Sequence, residues 1–156
     1  MSENDCITYQ SSGYFSKLIN DYLDKKPELD VLYNRFPSIE NFGLQIEEKA
    51  KSFTPSNRKI LFNALKEQYS KSEISQQTDA NIQLLLDNKT FTITTGHQLN
   101  LFTGPVYFIY KIISTINLCK KLKTEFPENN FVPVYWMASE DHDFEEINHF
   151  YLIIHK

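Results

Sequence analysis

Two polar blocks constrain this chain most, because each directly follows an apolar, strand-like run. The first is Thr94-Thr95-Gly96-His97-Gln98-Leu99-Asn100-Leu101-Phe102-Thr103-Gly104-Pro105, and the second is Glu140-Asp141-His142-Asp143-Phe144-Glu145-Glu146-Ile147-Asn148. Between them lies one long apolar helix pattern. In a strand–helix–strand unit with parallel strands, both blocks leave the same edge of the sheet. Ligands of open α/β sheets sit at that carboxyl edge. The order therefore predicts an α/β fold with His, Gln, Asn, Thr, Glu and Asp gathered around one crevice.

The strand–helix–strand unit is expected over 91–150. Phe91 to Thr95 is β-branched and aromatic and reads as a strand. Gly96 permits a sharp exit from it. Thr103 is expected to cap the next helix, with Pro105 in its first turn. That helix runs from about Pro105 to Glu125. Val106, Ile109, Ile113 and Ile116 form one apolar stripe, which Phe108, Ile112, Cys119 and Leu122 widen; so apolar a first half implies cover on two sides. Lys120, Lys121 and Lys123 suit its C-terminal end, and Pro127 stops it. Phe131 to Ala138 is continuously apolar, as a buried parallel strand should be. Pro133 points to its start or to an edge position.

Residues 1–90 read as a mainly helical lead-in. Phe15, Leu18, Ile19, Tyr22 and Leu23 recur at helical spacing until Pro27. Asp30 to Phe36 fits a helical turn or an irregular segment. Ser38 is expected to cap a helix from Ile39, and Ser56 one over Asn57 to Tyr69. Ser70 to Thr78 is polar and loop-like, unless it caps a helix reaching Leu86. Asp87-Asn88-Lys89 turns the chain. The apolar tail Tyr151 to Ile154 looks like the start of another strand. Two strands with one crossover make no stable sheet alone, so the chain is expected to be a piece of a longer protein, marginal and inactive by itself.

Bulk properties narrow the classes. The chain of 156 residues fits one domain, with 41% hydrophobic and 23% charged residues, ordinary for a soluble globular protein. A net charge of −4 argues against a broad nucleic-acid face. No basic start with an apolar run marks a signal peptide, and no stretch of about 18 apolar residues marks a membrane span. Cys6 and Cys119 lack metal-ligand spacing and read as free thiols of a reducing cytoplasm.

Among the chemical residues, His97 follows the strand and can hold a phosphate or move a proton near neutral pH; the plainer alternative is a histidine that braces the loop. Thr103-Gly104 at a helix start offers N–H groups to an anion, although an ordinary cap looks the same. The motif is neither Gly-x-Gly-x-x-Gly nor a phosphate loop ending in Gly-Lys-Ser/Thr. Glu140, Asp141, His142 and Asp143 crowd three carboxylates around one imidazole, which suits acid/base work or a divalent ion; a solvated acidic helix start is the alternative. No metal centre is expected, since neither His-Glu-x-x-His nor a Cys cluster is present. Lys111, with Tyr107 and Tyr110 nearby, is either a substrate contact or a surface residue laid along the helix.

Thr95-Gly96-His97-Gln98, Leu101 to Pro105, Tyr110-Lys111, Pro133-Val134, Glu140 to Phe144 and Glu146-Ile147-Asn148 resemble the bacillithiol biosynthesis cysteine-adding enzymes, the cysteine ligase family. Asp21-Tyr22-Leu23 and Arg58 to Leu65 carry a weaker likeness. The resemblance covers nearly the whole chain. It implies an incomplete Rossmann-like parallel sheet, seen here in its N-terminal portion. A C-terminal coiled coil would dimerise the full-length protein. The implied reaction adds cysteine to glucosaminyl-malate in the last step to bacillithiol. Its product is an amide, so the cysteine carboxyl must be activated. ATP with magnesium is one such chemistry, and the resemblance leaves the cofactor open.

On this reading His97, Asp141 and His142 are the catalytic candidates, with Asp141 or His142 taking the proton of the sugar amine. Thr95, Gly96, Gln98, Asn100, Thr103, Gly104, Tyr107, Tyr110, Lys111, Glu140, Asp143 and Asn148 are the substrate-contact candidates. The helix start near Thr103 and Gly104 would hold a phosphate or the malate carboxylate. Two rivals stay open: a nucleotidyl transferase of similar architecture, and a truncated binding module.

Overall fold

The computed structural model describes residues 6–140 and 144–152. They fall into two compact units, residues 1–45 and 46–156. In the first, α1 (Tyr9–Ser12) and α2 (Lys17–Leu23) begin at Thr8 and Ser16, whose side chains accept the backbone N–H of Ser11 and Ile19. Such caps satisfy donors that a helix start leaves orphaned. A 3-10 turn, Pro27–Leu32, follows where Pro27 was expected to interrupt the pattern. Tyr22 is the centre of this unit, 5.3 Å from the Tyr33 ring and 5.2 Å from the Phe36 ring. Helix α3 (Ile39–Ser52) starts where the sequence placed it and crosses the unit boundary.

The second unit contains α4 (Pro55–Gln68), α5 (Gln76–Leu84), β1 (Thr90–Gln98), α6 (Val106–Glu125), β2 (Asn130–Ala138) and α7 (Phe144–Ile147). The cap of α4 is Thr54 rather than Ser56. Pro55 takes the first helical position, which suits proline because that N–H has no partner anyway. Ser75 caps α5 through the N–H of Thr78.

Arg58 on α4 ties this unit together. Its guanidinium is buried and donates to the carbonyls of Leu85 (3.2 Å), Thr90 (2.9 Å) and Asn88 (3.2 Å). It also packs over the Phe53 ring at 5.2 Å. One side chain thereby collects three carbonyls of the α5–β1 connection. Burial lowers its pKa, and the charge of Asp87 opposes that shift. The turn itself closes on Asp87, whose carboxylate accepts the Lys89 N–H and the Asn130 side-chain amide.

β1 and β2 pair parallel, from Thr90 against Asn130 to Gln98 against Ala138. The expected strand–helix–strand order is therefore present, with α6 as the crossover. Pro133 pairs with Ile93 in the middle of β2. Among the described residues the sheet has two strands, so β2 is an edge and tolerates the missing N–H. Lys123 closes the α6–β2 turn by donating to the carbonyls of Pro127 (2.8 Å) and Asn129 (3.0 Å).

The core is small. Among the described residues, Ile82, Leu85, Cys119, Leu122 and Val132 are its buried apolar members, and Leu122 alone is fully enclosed. Thr115, Cys119 and Leu122 form the inner side of α6. The expectation of cover on two sides is not met by the described residues, since Val106, Ile109, Tyr110 and Ile113 are exposed. No described helix is long and apolar enough to cross a membrane. Tyr151 and Leu152 are exposed and outside any strand, and 153–156 lie outside the described residues.

Two outcomes follow from this core. Arg58→Met should lower stability by about 2 kcal/mol or more, because the carbonyls of the buried Leu85 and Thr90, and of the exposed Asn88, lose a charged donor at once. Arg58→Lys should restore only part, since an ammonium cannot span the same carbonyls; urea melts of the three proteins check this. Burial pushes the Cys119 thiol up from its ordinary 9.0 to about 11. The fold thus favours the neutral thiol, while the unfolded chain loses its proton earlier. This contribution is complete below pH 9.0 and is lost as pH rises towards 11. A thiol reagent at about pH 8 should label the exposed Cys6 and spare Cys119 until urea unfolds the protein.

Candidate active site at the strand edge

Parallel pairing sends the segments after Gln98 and Ala138 out of the same sheet edge. The two polar blocks therefore do emerge together, as far as the described residues reach. Phe102 of the first segment and Phe150 beyond the second meet edge to face, with centroids 5.1 Å apart.

The first block is not laid out as its sequence suggested. Thr95, Gly96, His97 and Gln98 belong to β1, where Gly96 pairs with Trp136 and His97 with Met137. Gly96 is not the exit from the strand. A Cβ at that position would lie 2.7 Å from the Trp136 carbonyl oxygen, so glycine is needed for close strand approach.

Thr103 is not the helix cap. Pro105 holds that position without a side-chain bond, and Phe102, Thr103 and Gly104 are left-handed in succession (φ 48, 71 and 58°). The Thr103 hydroxyl bonds the Phe102 carbonyl. The Gly104 N–H donates to the Leu101 carbonyl at 2.8 Å. The anion cradle expected of Thr103-Gly104 is thus missing: the hydroxyl and the glycine N–H are spent inside the loop, and Pro105 has no N–H to offer. A Cβ on Gly104 would come within 2.6 Å of the Asn100 side chain, so this turn and Asn100 fix one another.

Around His97 the structure does gather the predicted residues. Its Nε2 lies 2.8 Å from Tyr107 Oη and its Nδ1 3.1 Å from Asn100 Nδ2. Asn100 Nδ2 also donates to the Gln98 carbonyl at 2.8 Å. Lys111 Nζ donates to the Gly96 carbonyl at 3.2 Å and stands 5.5 Å from the centre of the Tyr107 ring. His97 thus braces the loop through Asn100 and the start of α6 through Tyr107. Tyr110 stands exposed on α6.

Sequence reasoning missed the rings behind His97. Phe108 packs edge-on to the imidazole at 6.2 Å and to Tyr135 at 5.4 Å, and the Tyr135 hydroxyl donates to the His97 carbonyl at 3.4 Å. Burial raises the Tyr135 pKa, keeping that hydroxyl a donor. The available signal was a tyrosine inside an otherwise apolar strand, since buried tyrosines seek a partner for the hydroxyl.

The second block is described at Glu140 and over 144–148, which includes α7. Glu140 is exposed and accepts from Trp136 Nε1 at 3.4 Å, and Asn148 is exposed and hydrogen-bonded to His149. Asp141, His142 and Asp143 lie outside the described residues. Among those described, no three His, Cys, Asp or Glu side chains converge as a metal set. A groove of about 730 Å³ runs between α5, α6 and the two strands, with Thr95 and Tyr135 among its lining residues. The polar groups on its rim serve each other: Gln77 bonds Asn81, Thr78 bonds Ser75, and Thr115 bonds the Lys111 carbonyl.

The whole chain matches a known family. Residues 2–156 fit the model described as "Bacillithiol biosynthesis BshC, N-terminal Rossmann-like domain". A protein of Flavobacterium psychrophilum named "Putative cysteine ligase BshC" is 73% identical over 147 residues, 94% of this chain and 28% of that protein. A protein of the same name from Flavobacterium johnsoniae is 68% identical over 146 residues, and one from Bacillus thuringiensis 33% over 140. The chain spans 28% of the length of either Flavobacterium relative. The chain belongs to the BshC family, whose N-terminal Rossmann-like domain it forms.

Proposed function

We propose that this domain holds substrate for a cysteine ligase that joins cysteine to glucosaminyl-malate, the last step of bacillithiol biosynthesis. The observation that carries the reading is the hydrogen-bonded His97–Asn100–Tyr107 group at the carboxyl edge of a parallel pair, in a chain of the BshC family. Both substrates carry a carboxylate, and the edge offers an ammonium and a hydroxyl, Lys111 and Tyr107, rather than a broad basic face.

Amide formation from a carboxylic acid needs that carboxyl activated, the chemistry that ATP with magnesium supplies when bound. The donors at the edge fit a phosphate oxygen as well as a carboxylate. This chain's own residues would then divide the work. Tyr107 and Lys111 hold the anion, and Asn100 and Phe108 keep His97 in place. Asp141 or His142 would receive the proton that the sugar amine loses as it attacks the activated cysteine carbonyl carbon, while the C–O bond to the activating group breaks and that group leaves with the carboxyl oxygen. The full-length protein acts as a dimer in the cytoplasm.

The test is a thiol-product assay on the full-length enzyme that carries this domain. Glucosaminyl-malate, cysteine and ATP-magnesium are supplied, and bacillithiol is sought by mass. Asp141→Asn and His142→Ala should each cut turnover by about 100-fold or more, the scale of a lost acid/base group. Full turnover in both variants at unchanged melting temperature would reduce the acidic block to a solvated helix start. Absence of the thiol product from the wild-type enzyme would remove the ligase reading itself.

A further inference from the structure

Helix α6 is apolar on two faces in its first half, and the described residues cover one of them. Thr115, Cys119 and Leu122 are buried on the inner side, with Phe108 and Ile112 half-buried along the same line. Val106, Ile109, Tyr110, Ile113 and Ile116 recur at spacings of three and four, so they form one stripe. At about 100° per residue, that stripe lies on the side away from Thr115 and Cys119. It is open: Val106 is 67% exposed, Tyr110 65% and Ile113 49%.

The stripe also has an end. From Val106 to Ile116 the only charged residue is Lys111, and its Nζ is turned to the Gly96 carbonyl at 3.2 Å. After Ile116 the same side carries Asn117, Lys120, Lys121 and Thr124. A face that stays in water carries such residues along its whole length. The apolar footprint is therefore bounded, ~15 Å along the helix axis. A contiguous exposed apolar patch of this kind marks an interaction surface.

Two observations name what covers it. The matched domain is N-terminal, and the chain spans 28% of the length of its Flavobacterium psychrophilum relative, so most of the full-length polypeptide follows this domain. The described chain also ends beside the stripe. Phe150 packs on Phe102 with ring centroids 5.1 Å apart, and Phe102 stands four residues before Val106. A segment tethered there meets the stripe at a high effective concentration, whereas a second copy must arrive from free solution.

We infer that the first half of α6 docks the part of the full-length protein that follows this domain, through an apolar segment laid along Val106, Ile109, Tyr110, Ile113 and Ile116. The segment passes beside Tyr107, the neighbour of Val106, and walls the crevice at the sheet edge on that side. The docking stands on the packing of α6. Only its consequence for substrate rests on the ligase reading.

The experiment uses the full-length protein that carries this domain. A photo-reactive benzoylphenylalanine replaces Ile113 and, in a second variant, Lys121, which lies on the same side beyond the footprint. Denaturing gels separate links within one chain from links between copies, and mass spectrometry locates them. The group at 113 should link within one chain to residues beyond 156, and the group at 121 should not. The wild-type protein supplies a reading that no substitution can spoil. Hydroxyl-radical oxidation of Val106, Ile109, Tyr110 and Ile113 should be lost relative to a free peptide spanning α6, at every protein concentration. Links between copies, links confined to residues 1–45, or equal linking from position 121 overturns the inference. So does oxidation as fast as in the free peptide, or protection that fades on dilution. A protein that links as expected and makes no bacillithiol overturns only the ligase reading.

Discussion

The guanidinium of Arg58 sets the frame on which the edge depends. It reaches from α4 into the α5–β1 connection and satisfies three carbonyls that no strand or helix ladder could serve. A buried charge is costly unless it is hydrogen-bonded on several sides. Here that requirement works as a clamp: the cation is tolerable only with Leu85, Asn88 and Thr90 in their places. Thr90 is the first residue of β1, so the clamp fixes where the strand begins. Register then runs unbroken to Gln98, and the position of His97 follows from an interaction at the far end of its strand.

From that starting point, the edge is assembled by small fits rather than by one strong bond. Gly96 lets β2 pass closely, Gly104 makes room for Asn100, and Asn100 orients His97. The aromatic pile of Phe108 and Tyr135 sits behind the imidazole. Three successive left-handed residues form the turn into α6, two of them not glycine. Such conformations persist only where the surroundings over-determine them. Around this loop the surroundings are the Asn100 side chain and the Phe102–Phe150 contact.

Much of the fold was legible in the sequence. α6 announced itself by apolar spacing, β2 by an uninterrupted apolar run, and the turn at 87–89 by its residue types. The family likeness rested on long motifs and is borne out over nearly the whole chain. What could not be read was tertiary. Gly96-His97-Gln98 are poor strand formers, yet pairing with Trp136 to Ala138 overrides their preference. Arg58 looks like any charged residue on an amphipathic helix, because nothing local says that three carbonyls wait for it. Thr103 before Gly-Pro has the composition of a helix cap. Its left-handed backbone spends the hydroxyl locally instead, which only the loop's closure reveals.

The lengths of the three elements at the edge have a kinetic meaning. Every pair in the ladder joins residues forty positions apart, from Thr90 with Asn130 to Gln98 with Ala138. Contacts so distant ordinarily slow folding, because the loop between them must close before any pairing is rewarded. The 20-residue α6 spans ~30 Å, and each nine-residue strand also covers ~30 Å. A helix of matching length returns the chain to the start of the ladder. Once α6 has formed, the search that remains is confined to two short connections. The crossover helix is thus a rigid spacer that turns a distant strand pairing into a nearly local one.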